Sequence, residues 1–286
     1  MPELPEVETV RLFLNQKIIG KKIKSIQVLN AKSLSGDYKK ILNQPIISLN
    51  RIGKQLSIHF KNGLSFLVHL KMTGQLIFVD KSQTILGHPT PSLYKTPLPW
   101  TSTRIIFTFS DDSMLYFNDQ RKFGWIKLVK LNQLKSLQSN LGPDILSRQF
   151  TLSYFQKTLQ NSNRFIKTLF HDQSLYAGIG NIYANDALFL SKIHPQTRAL
   201  NITSTQAKSL YQNIKKVIRQ GIKYGGSTAK DNMYLKPDGT KGQQQYNFYV
   251  YQRVGEPCPK CHSKIIRLKL QGRSAFFCPH CQKLSN

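Results

Sequence analysis

Every cysteine of the chain lies between Cys258 and Cys281, arranged as Cys258-Pro259-Lys260-Cys261 and Cys278-Pro279-His280-Cys281 with sixteen residues between the pairs. Two Cys-x2-Cys knuckles at that separation present four thiolates that close a tetrahedron around one zinc ion. Such a site leaves no coordination position open for chemistry, so the metal is structural. Two disulfides are the competing reading, and a chain with no export signal would seldom keep them in a reducing cytosol. His262 and His280 flank the knuckles as bystanders, because Cys258, Cys261, Cys278 and Cys281 already satisfy the ion. The C-terminus is therefore expected to be a small metal-stapled module.

The rest of the chain is long enough, within 286 residues, for two domains with cores of their own. Lys+Arg 41 against Asp+Glu 14 gives a net charge of +27 spread along the whole sequence. So large a like charge opposes compaction and attracts a polyanion; nucleic acid leads over an anionic membrane or an acidic protein. No apolar run reaches the length of a membrane span, and the acidic N-terminus is unlike a signal peptide, so no membrane partner is expected.

Between residue 22 and about 130 the pattern is that of short strands. Leu56, Ile58 and Phe60 alternate with Gln55, Ser57 and His59, and Asn62-Gly63 reads as a two-residue hairpin turn into Leu64–Val68. Similar runs are Ile23–Leu29, Gln75–Val79, Arg104–Phe109, Met114–Phe117 and Trp125–Val129. Many short strands after one leading helix indicate a two-layer β-sandwich. The segment from Lys81 to Trp100, with four prolines, reads as a long loop. Leu141-Gly142-Pro143-Asp144 marks a linker, after which the period becomes helical: Thr151 caps one helix. Thr203 and Gln206 make a capping box ahead of Ala207, Leu210, Ile214, Val217 and Ile218. The other side of that helix carries Lys208, Lys215, Lys216, Arg219 and Lys223, by itself weak evidence for binding. Residues 225–250, rich in glycine and glutamine, are either a linker or a loop that orders over a ligand.

Three further segments carry possible chemistry. Pro2-Glu3-Leu4-Pro5-Glu6-Val7-Glu8-Thr9-Val10 holds three of the fourteen carboxylates. Pro5 and the acids suit a helix start, with Val7, Val10 and Leu14 as its apolar stripe and Gly20 as its stop. If Met1 is removed, Pro2 also becomes a secondary α-amine, a nucleophile because α-amino groups titrate near about 8. Gly178-Ile179-Gly180-Asn181-Ile182-Tyr183-Ala184 places backbone N–H groups at a helix start, which suits phosphate; the plainer reading is a turn with Asn181 as cap. Asp119-Gln120-Arg121-Lys122-Phe123-Gly124 is a strand-end turn whose cations and aromatic suit insertion into a duplex.

Taken in order, Pro2 to Val10, His69-Leu70-Lys71-Met72-Thr73-Gly74, Asp119 to Gly124, Gly178 to Ala184 and the four-cysteine hairpin resemble the formamidopyrimidine-DNA glycosylase family over nearly the whole chain. The resemblance implies an α+β multidomain fold. An N-terminal two-layer β-sandwich with a leading helix would occupy 1–133, a linker 134–150, a helix-two-turns-helix domain with a lesion-capping loop 151–247, and a zinc-finger β-hairpin 248–286.

The implied function is a bifunctional DNA glycosylase and AP lyase of base excision repair, removing oxidised purines such as 8-oxoguanine and formamidopyrimidines from double-stranded DNA. By resemblance Pro2 attacks C1′ and forms a Schiff base, and Glu3 is the acid assisting sugar-ring opening. Lys54, in Arg51-Ile52-Gly53-Lys54, assists the lyase step, and Arg273, in Gln271-Gly272-Arg273-Ser274, holds phosphate. Met72, Arg121 and Phe123 fill the gap left by the extruded base, and His69, Lys167 and Asn181 contact DNA. One structural zinc is the only cofactor implied, and a monomer acting in the bacterial cytoplasm at the nucleoid is expected. Endonuclease VIII-like repair of oxidised pyrimidines and a non-catalytic DNA-binding zinc protein are the alternatives; the gap-filling residues oppose the first, and intact Pro2, Glu3 and Lys54 the second.

The chain departs from the family pattern at Gln120 and Lys122, at Lys71 where the motif has glycine, at Ser102 in place of a histidine, and at Asn163 in place of a lysine. These changes bear on individual phosphate contacts and leave the catalytic set intact.

Overall fold

A computed structural model describes residues 1–80, 98–228 and 234–284. Residues 81–97 of the expected Lys81–Trp100 loop, and 229–233 of the expected lesion-capping loop, lie outside the described residues. The chain folds as two compact units, Met1–Ser139 with Ile222–Gln245, and Asn140–Gly221 with Tyr246–Asn286. Packing thus divides the chain differently from the limits read in the sequence, because Ile222–Gln245 folds with the first unit and not with the helices before it.

The first unit starts with helix α1, Leu4–Ile18. Its expected stripe is in place: Val7, Val10, Leu14 and Ile18 are all buried, and Gly20 follows the end at φ +81. The strands are β1 Ile23–Val28, β2 Leu34–Ser35, β3 Ile46–Ile52, β4 Gln55–Phe60, β5 Leu64–His69, β6 Gly74–Val79, β7 Thr103–Phe109, β8 Met114–Asp119 and β9 Trp125–Lys130. They form one sheet in the order β1-β7-β8-β6 and another in the order β2-β9-β5-β4-β3. The inner faces meet in one apolar core with the α1 stripe, Phe66 of β5 lying 5.7 Å from Phe107 of β7 between ring centres. Period-two alternation is cleanest in β7, where each odd-numbered residue from Thr103 to Phe109 is buried. The two-layer sandwich expected from the sequence is therefore present.

Two local expectations change. His59 pairs with Ser65, so the β4–β5 loop has three residues, Lys61-Asn62-Gly63, with Gly63 at φ +80 and its N–H on the Phe60 carbonyl. Asn62-Gly63 is thus the end of a type I turn with a glycine bulge, and not a two-residue turn. The segment after β9 is helix α2, Leu131–Ser139, whose Leu134 packs with Leu67 and Val129 on the outer face of the five-stranded sheet.

The second unit contains helices α3 Leu152–Gln160, α4 Ile166–Leu169, α5 Asn181–Leu190 and α6 Ser204–Lys223, then the hairpin of β10 Ile266–Leu270 and β11 Arg273–Phe277. Thr151 caps α3 by accepting from the Tyr154 N–H, and the Thr203–Gln206 box starts α6 as expected. An aromatic cluster of Phe150, Phe155, Phe170, Tyr176 and Tyr211 fills the helical core. Of the expected basic face of α6, Lys208, Lys216, Arg219 and Lys223 are exposed. Lys215 differs, because its ammonium lies 4.2 Å from the Tyr211 ring centre. No helix among the described residues is long and apolar enough to cross a membrane.

Candidate DNA-repair site

Pro2 is buried directly ahead of α1, and Met1 before it is 44% exposed. Glu3 is the residue before the helix and is buried. Its N–H donates to Glu6 Oε2 at 2.8 Å, while Glu6 Oε1 accepts from the Ser227 N–H at 2.8 Å. The Tyr234 hydroxyl donates to the Gly225 carbonyl at 3.2 Å and approaches the Glu6 carbonyl at 3.4 Å. Gly226, at φ +79, lies so close that a β-carbon there would sit 2.9 Å from Glu6 Cγ. One carboxylate thus fixes both the start of α1 and the stem of the segment after α6.

Lys54 is buried, in the two-residue turn between β3 and β4, where Ile52 pairs with Gln55 and Gly53 takes φ +57. The turn is tied to α1. Arg51 donates through Nε to Glu8 Oε2 at 2.8 Å and through Nη1 to the Gly53 carbonyl at 3.0 Å, and Arg11 holds the other Glu8 oxygen at 2.7 Å. Burial works against charge on Glu8, but the hydrogen bonds from Arg11 and Arg51 outweigh it and hold its pKa below the usual value. The helix carrying Glu3 and the turn carrying Lys54 are therefore held in one frame.

His69 ends β5 beside Trp125, its Nδ1 accepting from the Lys71 N–H at 3.0 Å. Burial, with the charges of Lys71 and Lys54 added, lowers its pKa to about 3, so the ring is neutral at pH 7 and Nε2 carries the proton as a donor. The next turn exposes Met72, and the turn after β8 exposes Phe123 with the Arg121 guanidinium 4.9 Å from its ring centre. Buried Asp119 organises both turns. It accepts from the Thr73 hydroxyl, from the Arg121 N–H at 3.2 Å and from the Gly124 N–H at 2.6 Å. Asp119 and Thr73 were not singled out as organisers in the sequence; their only local sign is the aspartate opening a turn that closes on Gly124.

In the second unit Gly180 is the N-cap of α5 and Asn181 its first residue, so Asn181 is not the cap. Its side-chain oxygen accepts from Lys167 Nζ at 2.6 Å, with His171 Nε2 3.3 Å from the same ammonium. Lys167 is only 2% exposed; in this structure its ammonium holds the Asn181 carboxamide instead of facing solvent. Arg273 is exposed at the tip of the β10–β11 hairpin, whose turn residues Gln271 and Gly272 take φ +46 and +79. Two left-handed residues in a two-residue turn match the strand twist. Asn185 accepts from the Phe276 N–H at 2.9 Å, and buried Asp186 accepts from the N–H groups of Tyr249, Val250 and Tyr251, stitching α5 to the hairpin region.

The Sγ atoms of Cys258, Cys261, Cys278 and Cys281 all lie within 4.8 Å of one another, with 3.4 Å from Cys261 to Cys278 and 3.8 Å from Cys258 to Cys281. Sulfurs about 2.3 Å from a zinc ion at tetrahedral corners lie about 3.8 Å apart, so the donor set fits one structural Zn2+.

Family models match three parts of the chain: the formamidopyrimidine-DNA glycosylase N-terminal domain over residues 1–126, the formamidopyrimidine-DNA glycosylase H2TH domain over 141–233, and the zinc finger found in FPG and IleRS over 255–284. The formamidopyrimidine-DNA glycosylase of Pelotomaculum thermopropionicum is 37% identical, covering 99% of this chain and 100% of its own. The chain belongs to the formamidopyrimidine-DNA glycosylase family. Another relative of that name, from Lactiplantibacillus plantarum, is 38% identical over 99% of this chain and 100% of its own. A crystal structure of a Lactococcus lactis FPG mutant in complex with Fapy-dG-containing DNA is similar at a TM-score of 0.87, with 30% identity and coverage of 99% and 100% of the two chains. The sandwich, the H2TH helices and the zinc-finger hairpin of this chain are thus those of the family.

Proposed function

We propose that this protein is a base-excision DNA glycosylase and AP lyase for oxidised purines, with Pro2 as its nucleophile once Met1 is removed. The observation that carries the reading is the burial of two ionisable side chains, Glu3 and Lys54, on the frame that begins at Pro2. Buried charges are costly unless they are paired or used, and a DNA glycosylase uses such groups on an extruded nucleotide. Met72, Arg121 and Phe123, presented on two turns braced by Asp119, suit insertion into the gap so created. Family membership and the Fapy-dG in the Lactococcus lactis complex support the substrate class.

In the chemistry proposed, the Pro2 nitrogen attacks C1′ and the C1′–base bond breaks, the base leaving with the electron pair and a proton. Glu3 delivers a proton to O4′ as the C1′–O4′ bond opens and the Pro2 nitrogen, having lost its own proton, becomes an iminium. That cation acidifies the C2′ proton; its removal expels the 3′ phosphate, a second elimination expels the 5′ phosphate, and water releases Pro2. Lys54 assists the eliminations, and His69, Asn181 and Arg273 hold phosphates. Zinc on the four cysteines shapes the finger and takes no part in the reaction. The protein acts as a monomer on the chromosome, in the cytoplasm of a bacterium.

Excision from duplexes carrying 8-oxoguanine, a formamidopyrimidine or thymine glycol tests the substrate class. Release of the two oxidised purines ahead of thymine glycol is expected; the reverse order contradicts the reading and favours an endonuclease VIII-like enzyme.

A further inference from the structure

The turn that carries Met72 holds a lysine in a conformation that lysine seldom adopts. Lys71 has φ +52, in the left-handed region that favours glycine. The turn is closed tightly around it: the Gly74 N–H donates to the Leu70 carbonyl at 2.9 Å, and a β-carbon on Gly74 would lie 2.4 Å from that oxygen. The Lys71 N–H is fixed on His69 Nδ1. Backbone strain of this kind persists where the surrounding structure enforces it, and it clusters at functional sites.

Three further observations say what the use is. Among the described residues no carboxylate forms an ion pair with Lys71, and its side chain is partly exposed. It stands immediately before the exposed Met72. The second turn repeats the device: Lys122, at φ +58, lies between Arg121 and Phe123, and the two turns are joined through Asp119 and Thr73. Each apolar tip is thus accompanied by a lysine whose backbone is left-handed.

We propose that Lys71 is a DNA-backbone contact, its ammonium neutralising one phosphodiester next to the base step that Met72, Arg121 and Phe123 enter. This rests on the proposed reading that those three side chains enter a duplex. The contact deepens that reading by giving the Met72 turn an electrostatic anchor of its own. It also accounts for a lysine at a position where glycine would relieve the backbone.

The test is the salt dependence of binding to an undamaged duplex and to one carrying a tetrahydrofuran abasic-site analogue, for the wild type, Lys71→Asn, Lys71→Gly and Lys71→Arg. Asparagine and glycine both tolerate the left-handed backbone without the charge, and arginine keeps the charge. Loss of one phosphate contact lowers the slope of log K against log salt by about 0.9. That reduction, with a several-fold weaker affinity at 0.1 M salt, is expected for the asparagine and glycine variants and not for the arginine variant, while all three melt no lower than a few degrees below the wild type. Identical slopes in all four proteins overturn the contact, even if the wild type excises oxidised purines normally. A wild type that excises nothing but shows the Lys71-dependent slope overturns the enzymatic reading and leaves the contact standing.

Discussion

The Glu6 carboxylate accepts from the backbone N–H of Ser227, 221 residues away in the chain, at 2.8 Å while its other oxygen holds Glu3. The helix start bearing Pro2 and Glu3 is thereby coupled to the stem of the segment after α6. A Glu6→Gln change keeps one acceptor and turns an amide donor against a backbone donor. Leaving a buried N–H unpaired costs about 1–3 kcal/mol, or a melting temperature lower by roughly 2–4 °C for each kcal/mol in a protein of this size. Calorimetry checks the loss. Single-turnover excision is expected to fall by more than the unfolded fraction accounts for, because both Glu3 and the Ser227 segment lose their common anchor.

Arg51 bridges Glu8 and the Gly53 carbonyl, and its replacement by methionine removes two charge-assisted bonds from the Lys54 turn. A cost of about 2 kcal/mol is expected because Arg11 still pairs with Glu8. Strand cleavage at a preformed abasic site is expected to slow relative to duplex affinity, which gel-based cleavage and binding assays separate. The Glu8 pKa is depressed from 4.5 by its arginine partners against the opposing effect of burial. Its stabilising contribution is therefore complete above about pH 4.5 and is lost as pH falls through the lower folded value. Melting curves of the wild type and Glu8→Gln should converge as the pH is lowered from 5 towards 3.

His69 titrates near 6.5 when unfolded and at about 3 when folded, with burial the main cause. Between those values the unfolded chain binds more protons, so this residue's contribution to stability is full above pH 6.5 and falls as pH falls towards 3. NMR of the free protein should show no His69 titration between pH 5 and 8. A midpoint near 6.5 would contradict the neutral ring and its donor Nε2.

Much of this was legible in the sequence wherever the signal is local. The cysteine knuckles, the alternation in β7, the Thr151 cap and the Thr203–Gln206 box depend on neighbours a few residues apart, and each is found in place, while the alternation read in β4 breaks at Ser57, which is buried with Leu56 and Ile58. Asn62-Gly63 was legible as a turn but not in its length, since strand register decides whether Gly63 is a turn residue or a bulge. The same limit applies to Asn181, which reads as a cap until Gly180 takes that position and Lys167 claims the amide. Glu6–Ser227, Glu8–Arg51 and Thr73–Asp119 join residues 43 to 221 positions apart, and no period or spacing encodes such pairs. Among the catalytic candidates Pro2 was legible as an α-amine from its own chemistry, whereas Glu3 and Lys54 were legible only through family resemblance, because a buried Glu3 at a helix start is chemically ordinary until the fold is known.

Removing zinc tests the finger. Chelation, or Cys278→Ser, is expected to loosen or unfold the hairpin that presents Arg273, since the zinc–sulfur bonds that cross-link the two knuckles are lost with the ion. Duplex affinity should drop at least tenfold, while circular dichroism retains the β-sandwich signal and Pro2 stays chemically competent. Unchanged affinity of the metal-free protein would remove the finger from the DNA contact set.

Borohydride reduction during turnover of an 8-oxoguanine duplex tests Pro2 most directly, with mass spectrometry locating the adduct. The expected result is a covalent protein–DNA species on Pro2 of a chain lacking Met1, lost or strongly diminished in Pro2→Gly. No adduct with the active wild type, or an undiminished adduct in Pro2→Gly, would contradict the assignment of the nucleophile.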